Sequence, residues 1–156
     1  MGADFEEVWR RVTGAQGQEA HSGTGEAERM ERFIREEAGT AERYARLTKA
    51  CSGAVQKLYR DLAAEEMEHL HSLQTALYLL RGDSKSCPQE PKQEGGSRAG
   101  LRELRERYAA ERTSAAAYAS AAAETRDSSL RRLYDKLAKA EEKHAERIWS
   151  LAQRLV

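Results

Sequence analysis

The chain has 156 residues, enough for one domain around a single core. Lys+Arg and Asp+Glu number 26 each, so the formal net charge is zero, which argues against a general nucleic-acid-binding or acidic-membrane surface. Charged residues at 33%, hydrophobic residues at 40% and only two prolines describe a solvated helical protein. No apolar run approaches the ~18–20 residues that a membrane span needs. The opening MGADFEEVWRRVTG lacks a signal-peptide core, so a cytoplasmic location is expected.

In chain order, residues 3–13 form a candidate short amphipathic helix with Phe5, Val8, Trp9 and Val12 on one side. The stretch GAQGQEAHSGTGEA then reads as a flexible linker, which makes 1–25 a separate N-terminal segment. The first long helix is predicted over about 26–50, with Met30, Phe33, Ile34, Glu37, Ala41, Tyr44 and Ala45 inward. A tight connection at Cys51, Ser52 and Gly53 leads to a second helix over about 54–81. Its stripe is Val55, Tyr59, Leu62, Glu66, His69, Leu73, Ala76, Leu77 and Leu80, and Gly82 marks its C-terminal cap. Residues 82–99 hold both prolines and three glycines and read as a loop. The third helix is predicted over about 100–126, with Leu101, Leu104, Tyr108, Glu111, Ala115, Tyr118 and Ala122 inward. Asp127 or Ser128 caps a fourth helix over 128–156, whose stripe is Leu130, Tyr134, Leu137, Glu141, His144, Ile148, Leu151 and Leu155.

Connection lengths set the topology. The short joins between helices one and two, and three and four, make each pair an antiparallel hairpin. The long middle connection can span a bundle: eighteen extended residues reach about 60 Å, against about 40 Å for a 27-residue helix. The expectation for residues 26–156 is an all-α, ferritin-like four-helix bundle of two antiparallel helical hairpins joined by a long crossover.

One pattern occurs twice: a lone glutamate on one helix, then Glu-x-x-His on the next. The first copy is Glu37 with Glu66 and His69, and the second is Glu111 with Glu141 and His144. The copies are offset by 74 residues at the lone glutamate and 75 at the pair, and Tyr44 and Tyr118 each follow the lone glutamate by seven. Each glutamate lies about 20 Å from its hairpin bend at 1.5 Å per residue, so all four fall near one plane. Glutamate is almost never fully buried without a partner, yet here one interrupts each apolar stripe. Residues three apart share a helix face, so each imidazole points where its glutamate points. Four carboxylates and two imidazoles in this order are the ligand set of a di-iron or di-manganese site in a helix bundle. The charge also balances, because two divalent cations offset four ionised glutamates. The donor types suit iron or manganese better than thiolate sets do.

Other candidates read differently. Glu68 and His71 repeat the spacing but share their face with Glu65, Gln74 and Thr75, which reads as solvated surface. His21 lies in the linker. Glu36, Glu42, Arg35 and Arg43 also read as solvated faces. For Tyr44 and Tyr118 two readings stand: aromatic core filler, or a hydrogen bond that orients a ligand carboxylate. Tyr59 and Tyr134 read as core filler. Cys51 and Cys87 form no C-x-x-C pair, so there is no zinc-ribbon module and they read as ordinary thiols.

At the stretches FIREEAGTAERYARL, LAAEEMEHLHSL, YAAERTSAAAY and LAKAEEKHAERI the chain resembles the rubrerythrin-type branch of the ferritin-like superfamily, over roughly residues 28–156. The resemblance implies a non-haem di-iron centre that reacts with peroxide or dioxygen. It implies Glu37, Glu66, Glu111 and Glu141 as carboxylate ligands, with Glu66 and Glu141 bridging, and His69 and His144 as imidazole ligands. Rubrerythrins proper carry a rubredoxin domain with paired C-x-x-C motifs, so here electrons are expected from a separate donor protein. They also carry a glutamate three residues after the helix-three ligand, where this chain has Ser114.

The expectation is a redox protein with two iron ions, or manganese, that reduces peroxide or dioxygen without any separate catalytic residue. Its rivals are iron binding and storage without turnover, and a metal-free structural bundle. The sequence leaves open whether the helices pair within one chain or swap across a homodimer.

Overall fold

A computed structural model describes residues 22–82 and 100–156. The candidate N-terminal helix, most of the linker with His21, and the crossover 83–99 with Cys87 lie outside the described residues. The rest folds as four helices: α1 (Ser22–Ala50), α2 (Gly53–Arg81), α3 (Leu101–Glu124) and α4 (Ser128–Leu155). Helix α1 packs along α2 and α3 along α4, so the two hairpins are present as expected, and α2 also touches α4. The architecture is an all-α, ferritin-like four-helix bundle.

Local chemistry sets the element ends. The first connection turns at Cys51 and Ser52, and Gly53 takes φ 60°, a left-handed value that costs glycine little. Gly82 at φ 74° closes α2, its N–H donating to the Tyr78 carbonyl, as its place in the sequence indicates. Helix α3 ends at Glu124, two residues short of expectation. Thr125 is extended and buried, its carbonyl accepts from Arg131, and Asp127 caps α4 by accepting from the Ser129 and Leu130 N–H groups at 2.7 and 3.1 Å. Helix α1 begins at Ser22, four residues earlier than expected, and draws Gly23 and Gly25 into its first turn.

The apolar stripes meet in two clusters, each fed by all four helices. One gathers Met30, Phe33, Ile34, Leu73, Leu77, Tyr118, Tyr134 and Leu137. The other, at the end where α1 turns into α2, gathers Tyr44, Leu47, Leu58, Tyr59, Leu62, Leu104, Ile148 and Leu151. Between them lies a buried polar layer of Glu37, Glu66, Glu111, Glu141 and His144.

Three expected inward residues are not. Ala45 is exposed and Leu47 takes its place, because three residues on from Tyr44 stays on the buried face while one residue on rotates about 100° away. Leu101 and Leu155 are exposed at helix ends, where no neighbouring helix covers them. Glu103, unremarked in the sequence, is buried. It accepts from Arg43 at 2.9 Å and pairs with Arg107 at 3.0 Å. Arg43, read as part of a solvated face, is half of a partly buried ion pair. Burying Glu103 without these two cations would be too costly.

Candidate metal centre

Each helix delivers one carboxylate to the middle layer: Glu37 from α1, Glu66 from α2, Glu111 from α3 and Glu141 from α4, all buried. Helices α2 and α4 each add an imidazole one turn on, and the two rings stack at 5.3 Å between centroids and 15° between planes. The Nδ1 atom of His69 lies 2.9 Å from Glu141, 3.0 Å from Glu66 and 3.7 Å from Glu37. That of His144 lies 3.2 Å from Glu66, 3.5 Å from Glu111 and 3.7 Å from Glu141.

The structure therefore brings together all six residues that the repeat singles out. Their donor atoms fall into two groups, each within 4.8 Å: Glu37, Glu66, His69 and Glu141, and Glu66, Glu111, Glu141 and His144. Glu66 and Glu141 belong to both. Each group has one carboxylate and one imidazole of its own and shares two carboxylates with the other, and each could hold a metal ion.

Hydrogen bonding offers a test of fit. Among the described residues, Glu37 Oε2, Glu66 Oε1, Glu141 Oε1 and His144 Nδ1 are buried with no hydrogen-bond partner. Glu66 Oε1 and His144 Nδ1 are nonetheless only 3.2 Å apart. Buried polar atoms normally find partners, and four orphans around one centre suit a divalent cation. The donors, carboxylate oxygen and imidazole nitrogen, match iron or manganese.

Electrostatics shows what protons do in that layer without a cation. Burial pushes the Glu37 and Glu111 carboxyls up to about 8. Burial also acts upward on Glu66 and Glu141, but the His144 and His69 rings outweigh it and hold both below the usual carboxylate range. Burial alone would lower the histidines. The carboxylates around them win and raise His69 to about 11 and His144 to about 12.

The two tyrosines act across the hairpins. Tyr44 on α1 donates to Glu111 on α3, and Tyr118 on α3 donates to Glu37 on α1. Each is also core: Tyr44 stacks on Tyr59 at 5.6 Å and Tyr118 packs on Phe33 at 4.4 Å. Both side chains are thus packed in the core and hydrogen-bonded to a buried carboxylate. Tyr59 is fully buried and its hydroxyl has no hydrogen-bond partner among the described residues. Tyr134, also read as filler, reaches Glu26 at 3.1 Å.

In the sequence Glu65 reads as part of the solvated face of Glu68 and His71. Glu68 and His71 are exposed, but Glu65 is not simply solvated. It meets His144 Nε2 at 2.9 Å and Arg147 at 2.6 Å. The one signal for it is its place directly before Glu66, which puts it at the margin of the buried stripe. The pairing itself depends on how α2 meets α4.

No helix among the described residues is long and apolar enough to cross a membrane. Comparison with curated proteins and with solved structures returns no match. A family model described as Rubrerythrin matches residues 28–152, a span that holds all six converging residues and both tyrosines, and the chain belongs to the rubrerythrin family.

Proposed function

We propose that this chain holds two iron ions, or manganese in their place, and reduces peroxide or dioxygen with electrons from a separate donor protein. One observation carries the reading: the six donors form two overlapping groups that share Glu66 and Glu141. Glu37 and His69 would complete one metal position, and Glu111 and His144 the other. Two iron ions held there would supply one electron each to a small oxidant.

The chain's own residues have three tasks. The tyrosine hydroxyls of Tyr44 and Tyr118 fix one oxygen of Glu111 and Glu37, which leaves the other oxygen of each directed inward. The apolar clusters above and below the layer exclude water, so each charge in it is strongly felt. The ionised Glu66 and Glu141 hold the histidines in place until a cation displaces their protons. Ser114, three residues after Glu111, is half-buried and offers no carboxylate, so the private ligands stay one carboxylate and one imidazole per position.

The test is metal content per chain after expression with iron and with manganese, for the native protein and Glu66→Ala/Glu141→Ala. About two ions in the native chain and none in the variant support the reading, and peroxide consumption with a supplied reductant then tests turnover. A native chain that binds no metal overturns it and leaves a structural bundle. Many irons per chain would point to storage instead.

A further inference from the structure

The internal repeat sets up two equivalent metal positions, and the structure breaks that equivalence at the histidines. His144 is 1% exposed and His69 is 12% exposed. Both turn Nδ1 toward the carboxylates. Their far nitrogens differ. His144 Nε2 meets the Glu65 carboxylate at 2.9 Å, and the other Glu65 oxygen accepts from Arg147 at 2.6 Å. Among the described residues no such partner meets His69 Nε2.

The sequence explains the difference. Shifted by 75 residues, the place of Glu65 is taken by Ala140, and that of Arg147 corresponds to Ser72. Ala140 has no acceptor to offer. The Ser72 hydroxyl donates to the Glu68 carbonyl of its own helix. The ligand residues repeat, but the pair that supports one of them does not.

A carboxylate on the far nitrogen of a ligating imidazole fixes its tautomer and ring orientation and raises its basicity. A histidine without one keeps more freedom. We propose that Glu65, held by Arg147, is a positioning residue for His144, and that it makes the two metal positions inequivalent. The position at His144 is anchored. The position at His69 is the open one, where metal exchanges and a small oxidant arrives. The proposal rests on the dinuclear reading above.

Cobalt(II) tests it, because its visible bands report binding without turnover. The full chain is titrated in competition with a chromophoric chelator, alongside His69→Ala, His144→Ala, Glu65→Ala and Glu65→Gln. Circular dichroism of each metal-free variant checks the fold. The native chain is expected to bind in two steps, with His144→Ala losing the tighter and His69→Ala the weaker. Glu65→Ala is expected to weaken the tighter step by about 10–100-fold and leave the weaker one unchanged. Glu65→Gln keeps an acceptor and is expected to recover part of that loss. Equal loss in both steps, no loss in either, or a tighter step that belongs to His69 overturns the assignment. A native chain that takes up no cobalt(II) overturns the dinuclear reading itself, and this proposal with it.

Discussion

A buried glutamate needs a reason, and each one here has a nameable partner. Glu37 and Glu111 each receive a tyrosine hydroxyl from the opposite hairpin. Tyr118→Phe keeps the ring against Phe33 but leaves Glu37 without its donor. The expected cost is about 1–3 kcal/mol in denaturant unfolding of the metal-free chain. Loss of a group that orients a ligand also predicts about 10–100-fold weaker metal binding in chelator competition. If the metal affinity holds while stability falls, Tyr118 is core filler only. Glu103 is the contrasting case. It is buried between Arg43 and Arg107 and is not among the six converging residues. Breaking a fully buried pair costs about 3–5 kcal/mol, but Arg43 is one-third exposed, so water takes up part of its charge. Glu103→Ala is expected to cost about 1–3 kcal/mol and to leave metal stoichiometry unchanged. The repeat exposes the six site residues because spacing along a helix dictates facing. It hides Glu65, whose partners His144 and Arg147 lie on another helix, and it hides the Arg43 contact of Glu103, which no local period encodes.

At the scale of elements, boundaries follow single residues. Asp127 is legible in sequence as a cap because its oxygen has two free helical N–H groups within reach. Asp127→Ala is expected to lower stability by about 0.5–2 kcal/mol, read from the shift in denaturation midpoint at constant slope. A change within error would mean that the Arg131–Thr125 contact alone holds the corner. The early start of α1 was not legible, since Ser-Gly-Thr-Gly has the composition of a linker. The exposed Leu101 and Leu155 were misread for a related reason. A helical period continues to the last turn, but the helix that would cover it does not. Ala45 failed differently: one residue past the buried Tyr44, it is turned about 100° off the buried face. The pattern therefore predicts the middle of each helix best, and the middle is where all six site residues lie.

For the whole molecule, the polar layer couples folding to protons and, on the function proposed above, to metal. Near pH 6, with the two raised carboxyls at about 8 and the histidines at about 11 and 12, Glu37 and Glu111 carry protons and both imidazoles are charged. Glu66 and Glu141, held low, are ionised. The layer is then neutral without any metal. The sign of its pH dependence follows from linkage. Glu37 and Glu111 bind more protons folded than unfolded above about 4.5, so their contribution is complete below that pH and is lost as pH rises through about 8. The histidines behave alike from about 6.5 upward, their contribution being lost towards 11 and 12. Glu66 and Glu141 act oppositely, and their contribution fades as pH falls below about 4.5. The metal-free chain should therefore lose stability from pH 5 to pH 9. Metal reverses this trend. Four positive charges enter as two divalent cations, and neutrality is kept only if about four protons leave, two from carboxyls and two from imidazoles. Metal binding should then tighten steeply with pH, and the rise in melting temperature with excess manganese(II) should be larger at pH 8 than at pH 6. Calorimetric titration at pH 6 in buffers of different ionisation enthalpy counts the protons directly. A value near four would mean that the fold holds its carboxylates ready by storing protons in place of metal. A value near zero would mean that the layer is already deprotonated, with the helices carrying its charge uncompensated.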